Sequence, residues 1–332
     1  MAADNAHTTR HRKAQGRGSV DGIDGQLCLA LTPSGFANPV SVRLRYRRWG
    51  NPSAPKLLVL GGISADRKLP DWWANQFGPG RPFDPDRYCL IGVDWLSPLD
   101  WKAPAGELDT RDQSAALAAL LDHLGGPVHA VVGASFGAMV ALHLALLRPQ
   151  CADRLILLSG ADGADPQAAA LRWLQQEILL LAEQAGDETR GVALARALAM
   201  LSYRTPELFR MRFQSLAPAE REQAVARYLL YKGERFAAST PLHRYRALSQ
   251  ALNRHQLDAR KVSTPCWLFA VRQDALVPLS DMRALAARLP QLQHLQEIDS
   301  DYGHDAFLTE TDAVAAFLTL SLKGAHHEQL AS

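Results

Sequence analysis

The sequence has no long hydrophobic run, although 47% of its 332 residues are hydrophobic. None of its apolar stretches approaches the about 18–20 residues that a membrane-spanning helix needs. The beginning of the chain also lacks the apolar segment of a secretory signal peptide. We therefore expect a cytoplasmic protein that has no membrane as a partner.

An excess of one charge is also absent, because 36 Lys and Arg residues nearly balance 34 Asp and Glu residues, for a net charge of +2. This balance argues against nucleic acid or an acidic membrane surface as a partner. Much of the basic excess lies within the first twenty residues, at Arg10, Arg12, Lys13 and Arg17, among Gly, His and Ser. Residues 1–20 are predicted to form a disordered tail, with a nucleic-acid-binding arm as the alternative, and 323–332 a second tail.

Cysteines are few and scattered. The four are Cys28, Cys89, Cys151 and Cys266, with no CxxC pair and no close histidine pair. This spacing argues against a disulfide framework and against a structural zinc site. We expect buried free thiols, no metal and no bound cofactor.

Short, nearly continuous apolar runs predict strands of a parallel sheet that helices cover on both faces. The runs are 57–60, 88–93, 128–132, 155–158 and 267–271, and helical patterns at 112–124, 136–147, 280–289 and 311–320 accompany them. Two earlier runs, 26–32 and 40–48, predict an antiparallel hairpin. Thr110 is a plausible N-cap for the first of these helices. The pattern indicates an α/β fold with a mostly parallel, doubly wound sheet.

One long stretch interrupts the alternation of strands and helices. Residues 165–253 are rich in Ala, Leu, Gln, Glu and Arg and contain no convincing strand. Breaks near Gly186, Pro206 and Pro218 divide the stretch into four or five helices. We predict a helical lid over 165–254, inserted into a core formed by 21–164 and 255–322. The alternative is a helical decoration with no role at the site.

The sequence Gly133-Ala134-Ser135-Phe136-Gly137 follows an apolar strand and precedes a helix. This is the G-x-S-x-G nucleophile elbow of the α/β-hydrolase fold, and it predicts Ser135 as the catalytic nucleophile. The backbone N–H of Phe136 is placed to stabilise an oxyanion, because it lies at the start of a helix. The second oxyanion donor is expected from the loop after strand 57–60, at Gly62 and Ile63.

In this fold the acid and the base follow the nucleophile in that order. Asp274, just after strand 267–271, is the predicted acid, and His304, in a loop before the final helix, is the predicted base. Asp299 and Asp301 are weaker candidates for the acid, because they lie too near His304 in the sequence. His304 would take the proton of Ser135 while Asp274 fixes the imidazole tautomer.

Several segments between about residues 40 and 308 resemble the homoserine O-acyltransferase family. They include DWW at 71–73, TRD at 110–112, SYRTPE at 202–207 and YGHDAFL at 302–308. The resemblance implies acyl transfer from an acyl-CoA to the hydroxyl of L-homoserine, by a ping-pong route through Ser135 and His304, in methionine biosynthesis. It also implies a homodimer formed through the lid. L-serine as the acceptor, or an esterase that transfers the acyl group to water, are the alternatives.

The resemblance also implies how the substrates are bound. Asp305 matches the residue that holds the ammonium of the amino acid, with a loop-capping carboxylate as the alternative. Arg196 and Tyr203, seven positions apart on one predicted helix, match lid residues that reach into the pocket. Leu276 stands where the family tends to have an arginine when the donor is succinyl-CoA, so that acetyl-CoA is favoured. Arg67, near the oxyanion loop, keeps the succinyl donor open as a second carboxylate partner.

Overall fold

The computed structural model describes residues 21–34, 36–100 and 108–323. The two predicted tails lie outside these residues, apart from Lys323, which ends the last helix. The described chain forms one eight-stranded sheet with helices on both faces. Its strands are β1 (Ile23–Leu31), β2 (Val40–Trp49), β3 (Lys56–Leu60), β4 (Cys89–Val93), β5 (Ala130–Ala134), β6 (Leu155–Leu158), β7 (Cys266–Val271) and β8 (Leu292–Ile298).

The strand order in the sheet is β1-β2-β4-β3-β5-β6-β7-β8. Strands β1 and β2 form the predicted antiparallel hairpin, and β2 is antiparallel to β4. The remaining pairs are parallel, as the apolar runs predict. The predicted mostly parallel, doubly wound sheet is confirmed.

Three strands differ from the prediction. β1 begins at Ile23, three residues before the predicted run 26–32. β5 begins at Ala130 rather than at Val128, which forms only an isolated bridge with Ala152. β8 has no range in the sequence analysis, because most of its residues are only half-buried. An edge strand with a wet face lacks the continuous apolar run that marks the central strands.

The described residues also form a series of α-helices. They are α1 (Leu69–Trp73), α2 (Thr110–His123), α3 (Phe136–Leu147), α4 (Pro166–Gln184), α5 (Glu188–Tyr203), α6 (Pro206–Phe213), α7 (Pro218–Ala237), α8 (Leu242–Asn253), α9 (Leu279–Arg288), α10 (Ala306–Thr309) and α11 (Thr311–Lys323). No described helix is long and apolar enough to cross a membrane.

The start of α2 corrects one prediction. Asp109, not Thr110, is the N-cap, and it forms a capping box with Asp112. Thr110 is the first helical residue, and its hydroxyl is 2.9 Å from Nδ1 of the buried His255. A carboxylate at N-cap and another at N3 satisfy the free N–H groups at both ends of the first turn.

The core lies on the two faces of the sheet. Successive residues of β5 enter opposite clusters, with Val131 in one and Val132 in the other. Helix α3 contributes to the first cluster and helix α11 to the second. Because β5 is parallel to its neighbours, the loop after it lies at the carboxyl edge of the sheet, where ligands bind in open α/β sheets.

The helical insertion consists of five helices, α4 to α8, between β6 and β7. Gly186 lies between α4 and α5, and Pro206 and Pro218 are the first residues of α6 and α7, as the predicted breaks require. A further break at 238–241 was not predicted. Helices α5 and α7 approach closely at Gly233, where a Cβ atom would lie 2.2 Å from the carbonyl oxygen of Ala193.

The free cysteines follow the prediction in three cases. Cys89, Cys151 and Cys266 are buried, and burial raises the pKa of Cys151 to about 11. Cys28 is exposed, so the prediction that it is buried is wrong. It lies in the edge strand β1, where alternate residues point to solvent.

Candidate active site

Ser135 lies at the sharp turn between β5 and α3. Its backbone has φ 53° and ψ −117°, with a positive φ that residues other than glycine rarely adopt. The N–H of Ser135 donates to the carbonyl oxygen of Leu158 in the adjacent strand β6, at 2.8 Å. The strained turn therefore holds the hydroxyl out from the edge of the sheet.

Small residues allow the strand and the helix to cross at this turn. A Cβ atom on Gly133 would lie 2.5 Å from the carbonyl oxygen of Gly137, and one on Gly137 would lie 2.3 Å from that of Leu60. Both distances are shorter than real Cβ contacts allow. The two glycines of the motif are thus required by the packing of β3, β5 and α3.

His304 connects the hydroxyl of Ser135 to the carboxylate of Asp274. The Ser135 hydroxyl donates to Nε2 of His304 at 2.8 Å, and Nδ1 of His304 is 2.7 Å from Oδ2 of Asp274. The other oxygen of Asp274 accepts from the backbone N–H groups of Leu276 and Val277, at 2.8 and 2.9 Å. The structure thus brings together the three residues that the sequence selects.

The carboxylate of Asp274 makes the imidazole of His304 a stronger base. Burial works to lower the pKa of its imidazole, but the charge and the hydrogen bond of Asp274 act against burial, and the pKa is raised above the usual value. The weaker candidate Asp299 instead pairs with Arg272 at 3.4 Å. An imidazole held in this way can take up a proton from Ser135 as the serine attacks.

The oxyanion loop 61–64 lies directly against the elbow. The carbonyl oxygen of Gly61 accepts from the N–H of Gly137 at 3.0 Å, and a Cβ atom on Gly62 would be 3.9 Å from Cβ of Ser135. The carbonyl oxygen of Gly62 accepts from Nε1 of Trp95 at 2.9 Å. Because a peptide group is planar and trans, the N–H of Ile63 points away from Trp95.

The first turn of α3 supplies the other predicted donor. Phe136 is the first residue of this helix, and the N–H groups of a first turn have no acceptor within their helix. Its ring is fully buried and packs edge-on against Trp95, with 4.9 Å between ring centroids. The same packing therefore fixes both sides of the predicted oxyanion site.

Aromatic rings enclose His304 on two sides. Tyr203, at the end of the lid helix α5, stacks on the imidazole with 5.7 Å between centroids, and Phe307 packs edge-on at 5.7 Å. Gly303 has a φ of +54°, which allows the chain to turn directly before His304. The lid thus contributes a side chain to the immediate cover of the base.

The pocket beside Ser135 is lined by the core and by the lid. The core supplies Gly62, Ile63, Leu276, His304 and Asp305, and the lid supplies Arg172, Gln175, Arg196, Tyr203 and Ser249. Arg196 lies between two rings, 4.6 Å from the centroid of Tyr203 and 4.8 Å from that of Phe236. All the predicted substrate-binding residues therefore face one cavity.

Three charged residues in or beside this pocket were not predicted from the sequence: Asp165 and Arg172 in its lining, and Arg204 beside it. Arg172 of α4 lines the cavity, and Arg204 pairs with Asp305 at 3.2 Å. Arg204 follows Tyr203 in the SYRTPE segment, and nothing in its spacing marked it. The guanidinium bonds to one oxygen of Asp305, and the second oxygen has no partner among the described residues, so this carboxylate can still accept from a ligand in the pocket.

The predicted alternative role of Arg67 is wrong. Its guanidinium is 2.8 Å from Asp94 and 3.1 Å from Asp24, and it does not line the pocket. Two carboxylates already neutralise this cation, so it has no reason to hold a third. Leu276 does line the pocket, as expected for a residue that contacts the acyl group.

Among the described residues, no group of three or more His, Cys, Asp or Glu side chains is placed to hold a metal ion. The chemistry that the arrangement offers is nucleophilic attack by a serine, assisted by a histidine and by backbone N–H groups.

The sequence of this chain is similar to those of known proteins. A family described as alpha/beta hydrolase fold matches residues 55–311. The chain is 39% identical over 313 residues to the homoserine O-succinyltransferase of Xanthomonas campestris, covering 91% of this chain and 84% of the relative. It is 33% identical over 294 residues to the homoserine O-acetyltransferase of Deinococcus radiodurans, covering 83% and 86% of the two chains.

Solved structures show the same fold at lower identity. The homoserine O-acetyltransferase of Staphylococcus aureus superposes with a TM-score of 0.79 at 22% identity, covering 93% of this chain and 98% of that structure. Esterase E22 superposes with a TM-score of 0.77 at 17% identity, covering 90% and 100%. The fold is therefore shared by proteins named as transferases and by proteins named as esterases.

Proposed function

The chain belongs to the homoserine O-acyltransferases of the α/β-hydrolase fold, and on that premise we propose that it transfers an acyl group from acyl-CoA to the hydroxyl of L-homoserine. We assign Ser135 as nucleophile, His304 as base and Asp274 as the acid that orients it. The observation that carries this proposal is the position of His304, bonded to Ser135 and Asp274 and stacked under Tyr203 of the lid. The product is an O-acyl-L-homoserine for methionine biosynthesis.

The first half-reaction acylates the enzyme. Ser135 Oγ attacks the thioester carbonyl while its proton passes to Nε2 of His304. The N–H groups of Phe136 and of the loop at Gly62 and Ile63 stabilise the oxyanion of the tetrahedral intermediate. The carbon–sulfur bond then breaks, His304 returns the proton to the sulfur, and CoA leaves. The acyl group remains as an ester on Ser135.

The second half-reaction transfers the acyl group to the acceptor. The hydroxyl of L-homoserine gives its proton to His304 and attacks the ester carbonyl. The bond to Ser135 Oγ breaks, and His304 returns the proton to the serine. This ping-pong sequence needs no metal and no bound cofactor, since acyl-CoA enters as a co-substrate.

Opposite charges in the pocket fit an amino acid as the acceptor. Arg196 has an Nη1 atom that is buried without a hydrogen-bond partner, and a carboxylate satisfies it. Asp305 supplies the negative charge for the ammonium group, with Arg204 holding the carboxylate in place. The two anchors together fix the α-carbon end of the amino acid, which carries both charged groups, so that the hydroxyl at its other end can reach His304.

The lid forms one wall of the pocket that would hold the transferred acyl group. Residues 165–254 form this unit in our proposal, over a core of 21–164 and 255–322. Tyr203 covers His304, and helices α4, α5 and α8 each place a residue in the pocket wall. Homodimer formation through the lid stays a prediction from the resemblance.

The test is thiol release from acetyl-CoA and from succinyl-CoA, each with and without L-homoserine. L-serine serves as the alternative acceptor, and mass spectrometry identifies the product. We expect steady CoA release only with L-homoserine present, together with an O-acyl-L-homoserine. Release that ignores the acceptor, or rapid cleavage of a simple ester without transfer, would mean that the site is a hydrolase.

Ser135→Ala is the matched control. It removes the nucleophile and keeps a small side chain at the turn, so turnover should be lost while the fold remains intact by circular dichroism. Intact-protein mass spectrometry should find an acyl adduct on the wild-type chain and none on the variant. Turnover retained in this variant would remove Ser135 from the mechanism.

A further inference from the structure

Arg172 is a buried cation that forms no ion pair with a carboxylate of the described residues. Its residue is 8% exposed, and among the described residues it forms no ion pair. Nε donates to the side-chain oxygen of Asn253, which fixes the guanidinium between α4 and α8. Burial lowers the pKa of Arg172, although arginine stays charged in proteins. The fold therefore holds a positive charge at the pocket wall.

A buried charge is costly unless a partner of opposite sign approaches it. The carboxylate of Asp165 also lines the pocket, but its Oδ1 caps α4 by accepting from the N–H of Ala168 at 2.8 Å. The terminal nitrogens of Arg172 have no hydrogen-bond acceptor among the described residues. An anionic ligand in the pocket is the partner that this geometry lacks.

The wall around Arg172 holds a second unsatisfied polar group. Ser249 lines the same pocket, and its buried hydroxyl has no hydrogen-bond partner. Gln175, one turn along α4 from Arg172, lines the pocket as well, and its side-chain oxygen accepts from Tyr245 at 2.8 Å. A guanidinium and a hydroxyl together match the donors that a carboxylate prefers.

The pocket thus contains two arginines without carboxylate partners, Arg172 on α4 and Arg196 on α5. An amino-acid acceptor has a single carboxylate, which accounts for one of them. An acetyl group is neutral and leaves the other cation unpaired. The acyl group of a dicarboxylic acid carries a free carboxylate at its far end. This is a second carboxylate in the pocket, beside that of the acceptor, and it can pair with the remaining guanidinium and with the polar groups around it.

We propose that Arg172 binds the distal carboxylate of a succinyl-class donor, with Ser249 as a second hydrogen-bond donor to it. This rests on the proposed acyl transfer and names the acyl group that is transferred. Leu276 favours acetyl in the sequence because it places an apolar side chain, and no charge, in the part of the pocket wall that the core forms. The charge comes instead from the lid, so an apolar residue at 276 is compatible with a succinyl donor.

The experiment compares succinyl-CoA and acetyl-CoA in the wild-type enzyme and in Arg172→Met, with L-homoserine saturating. We expect the wild type to prefer succinyl-CoA by at least tenfold in kcat/KM. In Arg172→Met the ratio of the two kcat/KM values should fall by about 100-fold, because the variant lacks a buried charge–charge hydrogen bond. Arg172→Lys, which keeps the charge but loses the planar fork, should lie between the two.

Turnover with acetyl-CoA in the same preparation reports whether Arg172→Met is folded. Arg246→Met is the matched control, since Arg246 pairs with Glu183 at 2.8 Å outside the pocket. Its donor ratio should equal that of the wild type. If Arg172→Met does not fold, Ser249→Ala tests the same site and should lower the ratio by about tenfold.

The proposal is overturned by a wild type that transfers only acetyl, or by equal losses with both donors in Arg172→Met. A rise in the KM for L-homoserine with both donors would assign Arg172 to the acceptor instead, which also overturns it. None of these outcomes touches the proposed function, which fails separately if CoA release does not depend on the acceptor.

Discussion

Asp274→Asn tests the assignment of the acid with little change in shape. In the wild type, one carboxylate oxygen accepts from two backbone N–H groups and the other lies 2.7 Å from Nδ1 of His304. The amide oxygen of asparagine can keep the two backbone bonds. Its NH2 group then faces Nδ1 and donates a hydrogen bond to it, which places the ring proton on Nε2. An imidazole in that tautomer cannot accept the proton of Ser135.

The expected loss follows from that tautomer. The same change in a Ser-His-Asp site lowers kcat on the order of 10⁴-fold, which corresponds to about 5 kcal/mol in the activation free energy. The pH profile should also move. Asp274 contributes to the raised pKa of His304, and the neutral imidazole is the active base. Without the carboxylate this pKa falls, so the acidic limb of the residual activity should shift to lower pH.

Stability depends on the same group with a definite sign. Because the pKa of His304 is raised in the folded state, protonated His304 stabilises the fold below the pKa of the unfolded chain. This contribution disappears as the pH rises through the folded pKa. Asp274→Asn should reduce it, and urea unfolding at acidic and at alkaline pH measures the difference between the two proteins.

The assay is single-turnover CoA release under saturating donor, with the melting temperature as the check on folding. Asp299→Asn is the matched control, because Asp299 lies in the same region and pairs with Arg272 rather than with His304. It should change the rate less than threefold. A large loss in Asp299→Asn with near-normal rates in Asp274→Asn would refute the assignment of the acid.

Three further changes test the pocket and the elbow. Arg196→Met should raise the KM for L-homoserine about 100-fold and leave the acyl-enzyme burst in place, because the change removes the partner of the acceptor's carboxylate and leaves the donor's contacts intact; a lost burst would contradict this. Asp305→Asn should weaken L-homoserine binding more than acyl-enzyme formation, and equal loss in both half-reactions, measured by quench-flow, would end that assignment. Gly137→Ala should lower the free energy of unfolding by about 1–3 kcal/mol in urea titrations, because its Cβ meets the carbonyl oxygen of Leu60.

The strongly patterned parts of the chain could be predicted from the sequence. Central strands are buried on both faces and so appear as continuous apolar runs, and the elbow needs glycine at fixed positions around Ser135. Chain order then selects Asp274 and His304 from many acids and histidines. The apolar runs and the elbow are local signals carried by a few adjacent residues, and the acid and the base are then located by their positions after predicted strands.

The features that were missed depend on contacts between distant segments. Arg172 looks like an ordinary charged residue of an amphipathic helix, and only the packing of α4 against α8 places it at the pocket. The pairing of Arg204 with Asp305 joins residues that are 101 positions apart. The failure of Arg67 as an alternative has the same origin, because Asp24 and Asp94 approach it from other strands and loops. Tertiary contacts decide which charges are free.

The triad alone does not decide between transfer to homoserine and loss of the acyl group to water, because the same serine, histidine and acid catalyse both reactions. The outcome depends on whether a bound hydroxyl meets the ester sooner than water does. A hydroxyl held in the correct orientation gains an effective molarity on the order of 10⁵–10⁸ M over a free one. In the proposed function that orientation comes from two anchors, Arg196 from the lid and Asp305 from the loop of His304. Tyr203 stacks on the imidazole of the base and covers it from the side of the lid. Under the proposed function, the choice between L-homoserine and water is therefore made by the side chains around the triad, Arg196 and Tyr203 from the lid and Asp305 from the core.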